Sequence, residues 1–201
     1  MVVEPGLFRT EAPSTIPRRA FMVMPFALFG LVKVSSRSDR PLPEPAIDGL
    51  GSEITIALFS DSGEPQGVAR MRRIIQSDDE WQKQLTSAEF AVTRRGGTER
   101  PYTGRTWNEH RAGVYRCIGC GTALFRSTEK FDSGTGWPSF RAPIAGGNVA
   151  LSKDVSLFLE RTEVRCAKCD AHLGHVFDDG PAPAGKRFCM NSAAMRFVAA
   201  S

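Results

Sequence analysis

The chain has 201 residues, of which 41% are hydrophobic and 24% charged, a balance that suits one soluble domain with an extension and excludes a disordered or multi-span chain. Its formal charge of +4 is uneven: residues 1–40 hold six basic and three acidic residues, and residues 41–201 hold 20 and 19. A body with a net charge of only +1 lacks the excess expected of a nucleic-acid binder, so no nucleic-acid partner is expected.

Residues 18–34 read "RRAFMVMPFALFGLVKV". Two arginines precede thirteen uncharged residues, Ala20 to Val32, and Lys33 closes the run. A membrane helix needs about 20 apolar residues, so this segment reads as a signal-like h-region. Arg18-Arg19-x-Phe21 is similar to a twin-arginine export signal. The competing reading is a core helix, which Pro25 and Gly30 disfavour. Residues 1–37 are therefore expected to be a leader that places the protein in the periplasm or another extracytoplasmic compartment. "KVSSRSDR" offers no clean cleavage site, so an uncleaved leader would act as a membrane tether.

Residues 38–77 come next. "SDRPLPEPAIDGLG" reads as a linker, and "EITIALF" and "GVARMRRI" flank the turn-like "SDSGEPQ" as two strands of a hairpin. The third segment, 78–201, opens with a helix in "SDDEWQKQLTSAEFAVTRR", where Ser77 and Glu80 form a capping box. Beyond Gly96 the apolar runs are short ("GVYRC", "SLFLERTEVRC", "MRFVAA") and turns are frequent, which predicts mainly antiparallel β structure.

The five cysteines fall as two C-x-x-C pairs and one remainder, Cys189. "YRCIGCGTALF" and "VRCAKCDAHLGHVF" share a layout: a strand, the pair, then a turn residue. Two such knuckles can bring Cys117, Cys120, Cys166 and Cys169 around one structural Zn²⁺. Iron is the competing metal, and a disulfide within each pair the competing covalent state. Cys189 taken alone reads as a small buried hydrophobe or as a free nucleophile. His172 and His175 read as metal ligands, core groups or proton carriers, Trp137 as core, and Asn191 as a turn residue.

"KFDSGTGWPSF", "RTEVRCAKCDAHLGHVFDDGP" and "GKRFCMNS" occur in this order, and together they closely resemble the methionine sulfoxide reductase B family over roughly Asp78 to Val198. The resemblance implies two packed antiparallel sheets, short N-terminal helices and a Cys₄ zinc site. It implies that Cys189 attacks the sulfur of methionine-R-sulfoxide, in oxidised proteins and as the free amino acid, and is left as a sulfenic acid. His175 and Asn191 would serve the sulfoxide oxygen, Trp137 would pack on the substrate methyl, and His172 and Arg187 would support the site. Many members carry a recycling cysteine in "SGCGWPSF", where this chain has Thr135. An external thiol, thioredoxin-like or small, is then expected to restore Cys189. A zinc-knuckle binding module without catalysis and a redox switch built on the C-x-x-C pairs are the rival classes.

Overall fold

A computed structural model describes residues 51–155 and 160–201, within the unit Glu44–Ser201. The leader, most of the linker and "SLFL" at 156–159 lie outside the described residues. Among the described residues no helix is long and apolar enough to cross a membrane.

The hairpin forms as expected. Strand β1 (Glu53–Phe59) pairs antiparallel with β2 (Pro65–Arg72), which starts two residues earlier than its sequence suggested. The predicted helix is two. α1 (Asp78–Gln84) ends where Leu85 turns extended, and α2 (Ser87–Arg95) restarts after Thr86. The break has a local cause: a second capping box, in which Glu89 N–H donates to Thr86 Oγ1 at 3.3 Å and Thr86 N–H donates to Glu89 Oε2 at 2.9 Å. The Ser77–Glu80 box forms as well.

The remaining strands are β3 (Gly113–Cys117), β4 (Ala123–Arg126), β5 (Lys130–Phe131), β6 (Ser139–Phe140), β7 (Val149–Asp154), β8 (Arg161–Cys166), β9 (His172–Phe177), β10 (Arg187–Met190) and β11 (Met195–Ala199). They make a six-stranded sheet of order β5-β6-β10-β9-β8-β7 and a three-stranded sheet of order β11-β3-β4. The hairpin is a third, two-stranded sheet beyond the two expected.

Side chains from both larger sheets make one buried core, with consecutive buried residues along β3, β4 and β9. Tyr115, Leu124 and Phe125 bury against Phe140, Val164, Leu173, Phe188 and Met190. Phe125 and Phe140 stack at 4.4 Å between ring centroids, and Tyr115 meets Phe140 edge-on at 4.8 Å. Each fully buried aromatic of this set contributes about 1.5–3 kcal/mol. On the helical side Trp81 is buried beneath the Arg94 guanidinium, 4.9 Å from its ring centroid, and Arg94 Nη1 donates to Cys169 O. The two helices thus brace the second knuckle.

Candidate functional site

The two knuckles are built alike. Gly121 N–H donates to Cys117 O and Asp170 N–H to Cys166 O, both at 2.9 Å. Gly121 (φ 73°) and Asp170 (φ 58°) both take the left-handed conformation, which glycine adopts freely and aspartate tolerates. The sulfurs of Cys117, Cys120, Cys166 and Cys169 lie within 4.8 Å of one another. Cys117–Cys169 and Cys120–Cys166 are 3.6 and 3.5 Å apart, far beyond a disulfide bond. Tetrahedral thiolates about 2.3 Å from an ion would sit about 3.8 Å from each other, so the quartet fits a metal. Hydrogen bonding to Cys120 and the other thiols, together with burial, holds the Cys117 thiol well above its ordinary value. Four thiolates this close repel one another, and a cation among them is what would let them coexist. Cys120 is half-buried and the other three are buried.

Leaving the second knuckle, β9 carries His172 and His175, and its register places His175 opposite Cys189 of β10. Directly opposed residues share a face with Cβ atoms about 4.5–5.5 Å apart, so the sheet itself brings imidazole and thiol together. Gly174 makes the approach possible. Its φ is 154°, and a Cβ there would fall 2.2 Å from Cys189 O.

A cleft of about 150 Å³ opens over this pair, lined by Thr98, Trp137, Arg161, His175, Phe177, Cys189 and Asn191 among others. Trp137 is fixed by donating Nε1–H to Glu99 O at 3.1 Å. Asn191 lines the cleft with much of its amide committed: Nδ2 donates to Leu173 O at 3.2 Å, and Oδ1 accepts Glu99 N–H at 3.1 Å. One amide hydrogen remains for a ligand. Glu99 also accepts the backbone N–H groups of Ser192 (2.5 Å) and Ala193 (2.9 Å), so one acidic side chain ties the loop before β3 to the turn that follows Asn191.

Arg187 lies beside Cys189, pairs in a fork with Asp179 (2.7 and 2.8 Å) and stacks on Phe177 at 4.6 Å. Burial raises the Cys189 thiol above its ordinary value, while the Arg187 charge and the hydroxyls of Thr135 and Ser139 act in the opposite direction. Thr135 Oγ1 is 4.0 Å from Cys189 Sγ and continues through Ser133 to the buried Ser139. The resting thiol therefore holds its proton near neutral pH, and attack requires an acceptor for it.

Both histidines have carboxylate partners that the sequence reading did not name. His172 Nδ1 lies 2.6 Å from Glu163 Oε1, and His175 Nε2 lies 2.8 Å from Asp154 Oδ2. Burial lowers the His172 imidazole below its ordinary value, with Glu163 working against that. Period-two alternation in "RTEVR" could have pointed to Arg161 and Glu163 as one face of a strand. Nothing local pointed to Asp154, Asp179 or Glu99.

The family model described as SelR domain matches residues 85–199. The chain belongs to the SelR family. β1, β2 and α1 precede the matched residues. Relatives of this SelR chain include the peptide methionine sulfoxide reductase MsrB of Hahella chejuensis, 53% identical over 130 residues that cover 65% of this chain and 94% of that protein. The MsrB of Synechococcus sp. is 54% identical over 121 residues, 60% of this chain and 89% of its own length. A chloroplastic peptide methionine sulfoxide reductase B1 of Oryza sativa is 57% identical over 121 residues, 60% of this chain and 56% of that longer protein.

Proposed function

We propose that Cys189 is the nucleophile with which this SelR chain reduces methionine sulfoxide. The reduction itself follows from the family and from relatives that carry that name. One observation carries the assignment of Cys189. It is the single cysteine outside the metal quartet, and it faces His175 across paired strands in a cleft walled by Trp137.

The Cys189 thiolate attacks the sulfur of the sulfoxide and forms an S–S bond; that bond and the sulfoxide S–O bond then break as the oxygen bonds to Cys189 Sγ, which releases methionine. The net step is Cys–SH plus methionine sulfoxide giving Cys–SOH plus methionine. Two equivalents of an external thiol then give Cys–SH, one disulfide and water. His175 moves protons between thiol and oxygen, and the spare Asn191 N–H and His172 assist at the oxygen. Trp137 receives the substrate's methyl group, since sulfur–aromatic contacts contribute roughly 0.3–1.5 kcal/mol. Arg187, oriented by Asp179, favours the thiolate by its charge.

Thr135 supports the external-thiol route. Its Oγ1 lies 4.0 Å from Cys189 Sγ, and a hydroxyl there cannot form a disulfide. The reductant is of thioredoxin or small-thiol type, and the substrate epimer is R. The metal is one structural Zn²⁺ held by Cys117, Cys120, Cys166 and Cys169. When bound it supplies cross-linking of the two knuckles and takes no part in the redox step. An extracytoplasmic location rests on the pattern of residues 18–33 alone, and fractionation of cells expressing the full chain tests it.

The deciding experiment is turnover of a methionine-sulfoxide peptide, each epimer separately, with dithiothreitol as donor. The R peptide is reduced, the S peptide is not, and Cys189→Ser is inactive. After one turnover without reductant, mass spectrometry finds one oxygen added at Cys189. A stoichiometric internal disulfide instead would sink the external-thiol route.

A further inference from the structure

Asp154 lies on β7, two strands away from His175 on β9, and reaches it over β8. Two strand spacings are about 9–10 Å, so this contact depends on both side chains extending toward each other. The same carboxylate oxygen, Oδ2, accepts Arg161 Nη2–H at 2.8 Å. Arg161 is Asp154's register partner on β8 and lines the Cys189 cleft. The carboxylate is thereby held between an arginine and an imidazole.

The chemistry of that bond fixes the ring. An ionised carboxylate only accepts, so the hydrogen in the 2.8 Å contact sits on His175 Nε2. A neutral imidazole has one N–H, which leaves Nδ1 as a lone pair. The half-buried thiol of Cys189, raised by its surroundings, needs such an acceptor on the facing strand.

We propose that Asp154 is a positioning residue for the reduction: it holds His175 in its Nε2–H form with Nδ1 left free for the Cys189 cleft. In this arrangement Nδ1 takes the proton from Cys189 Sγ, giving thiolate and imidazolium, and Asp154 neutralises the cation. The same Nδ1–H then donates to the sulfoxide oxygen as it leaves sulfur, so the proton ends on the sulfenic acid and His175 returns neutral. Arg161 holds the Asp154 carboxylate in place through the shared Oδ2 contact. This role rests on the reading of His175 as the proton carrier.

The test uses the zinc-loaded full chain with ¹⁵N-labelled histidine. Only His110, His172 and His175 contribute signals, so assignment by single replacement is direct. In the wild type the neutral His175 ring shows one form, Nε2–H. In Asp154→Ala the ring populates the Nδ1–H form. A general acid or base contributes about 10²–10⁴-fold, so loss of its alignment lowers kcat about ten- to a hundredfold, with KM within about threefold. Asp154→Glu restores part of kcat. Asp154→Ser, polar but too short to span two strands, behaves as Ala does and guards against a variant that fails to fold. A pure Nε2–H form in both short variants, or kcat within about twofold of wild type, overturns the proposal. Undiminished turnover by His175→Gln instead overturns the reading of His175 itself, whatever the ring form in the Asp154 variants.

Discussion

The Asn148 side chain grips Ala57 from both sides: Oδ1 accepts Ala57 N–H and Nδ2 donates to Ala57 O, each at 2.9 Å. Nδ2 also donates to Ala123 O at 2.9 Å, and Asn148's own carbonyl accepts Ala167 N–H at 3.1 Å. Asn148 is buried, and it joins the hairpin to both knuckles, at Ala123 just after the first and at Ala167 within the second. Phe59 packs on Val114 and Ala123, and Arg116 Nη2 donates to Phe59 O and Ser60 O. The hairpin is therefore an integral cover beside the knuckle that carries the half-buried Cys120.

Asn148→Ala takes these partners from the part-buried backbone groups of Ala57 and from the buried Ala123 carbonyl. A stranded buried polar group costs about 1–3 kcal/mol, and urea unfolding should register a loss of about 2–4 kcal/mol. Hydrogen exchange should speed up first in residues 53–72. A loss spread evenly over all strands would show that Asn148 acts only on general stability.

Metal removal should unfold the two knuckles before the sheets melt. Each C-x-x-C turn is a few residues long and is anchored at its cysteines, so chelation at neutral pH should lower Tm and expose Cys117, Cys166 and Cys169 to alkylation. Cys166→Ser should bind less than half an equivalent of zinc. Full zinc retention in that variant would contradict a four-thiolate site.

The alkylation rate of Cys189 in the absence of substrate should rise with pH and reach its midpoint above the ordinary thiol value. The sign follows from the causes: burial disfavours the thiolate, so the thiolate fraction grows only at higher pH. Arg187→Gln removes a charge that favours the thiolate, and the midpoint should move further up. A downward shift would mean that Arg187 acts through packing on Phe177 instead.

Thr135→Cys should change the fate of the sulfenic acid. Thr135 Oγ1 lies 4.0 Å from Cys189 Sγ, and a thiol in its place is near enough to condense with the oxidised cysteine. After one turnover, mass spectrometry should find a disulfide joining position 135 to Cys189 in the variant and an added oxygen in the wild type. An added oxygen in both would show that the loop holds position 135 too far away.

Much of the site was readable from short stretches. Cys117, Cys120, Cys166 and Cys169 declare themselves by spacing, and each knuckle's turn closes within five residues. Cys189 and His175 sit in compact motifs, and the strand that carries Cys189 alternates, whereas four consecutive residues of the strand that carries His175 are buried. The helix was misjudged at Leu85 because Thr86–Glu89 repeats the capping box of Ser77–Glu80, and a second start implies an earlier stop. Sequence also could not place the hairpin, since its anchor is 91 residues away at Asn148.

Residue type and near spacing were enough to single out the cysteine quartet and the solitary Cys189, and the family resemblance marked Thr135 as a position without a recycling thiol. The carboxylates emerge only from tertiary pairing. Asp154 and Glu163 are ordinary strand residues until β7, β8 and β9 pair, and Asp179 and Glu99 reach their partners only after β10 is seated. Hydrogen bonds between strands depend on register, and register is set by burial of the whole sheet face, which no local stretch contains.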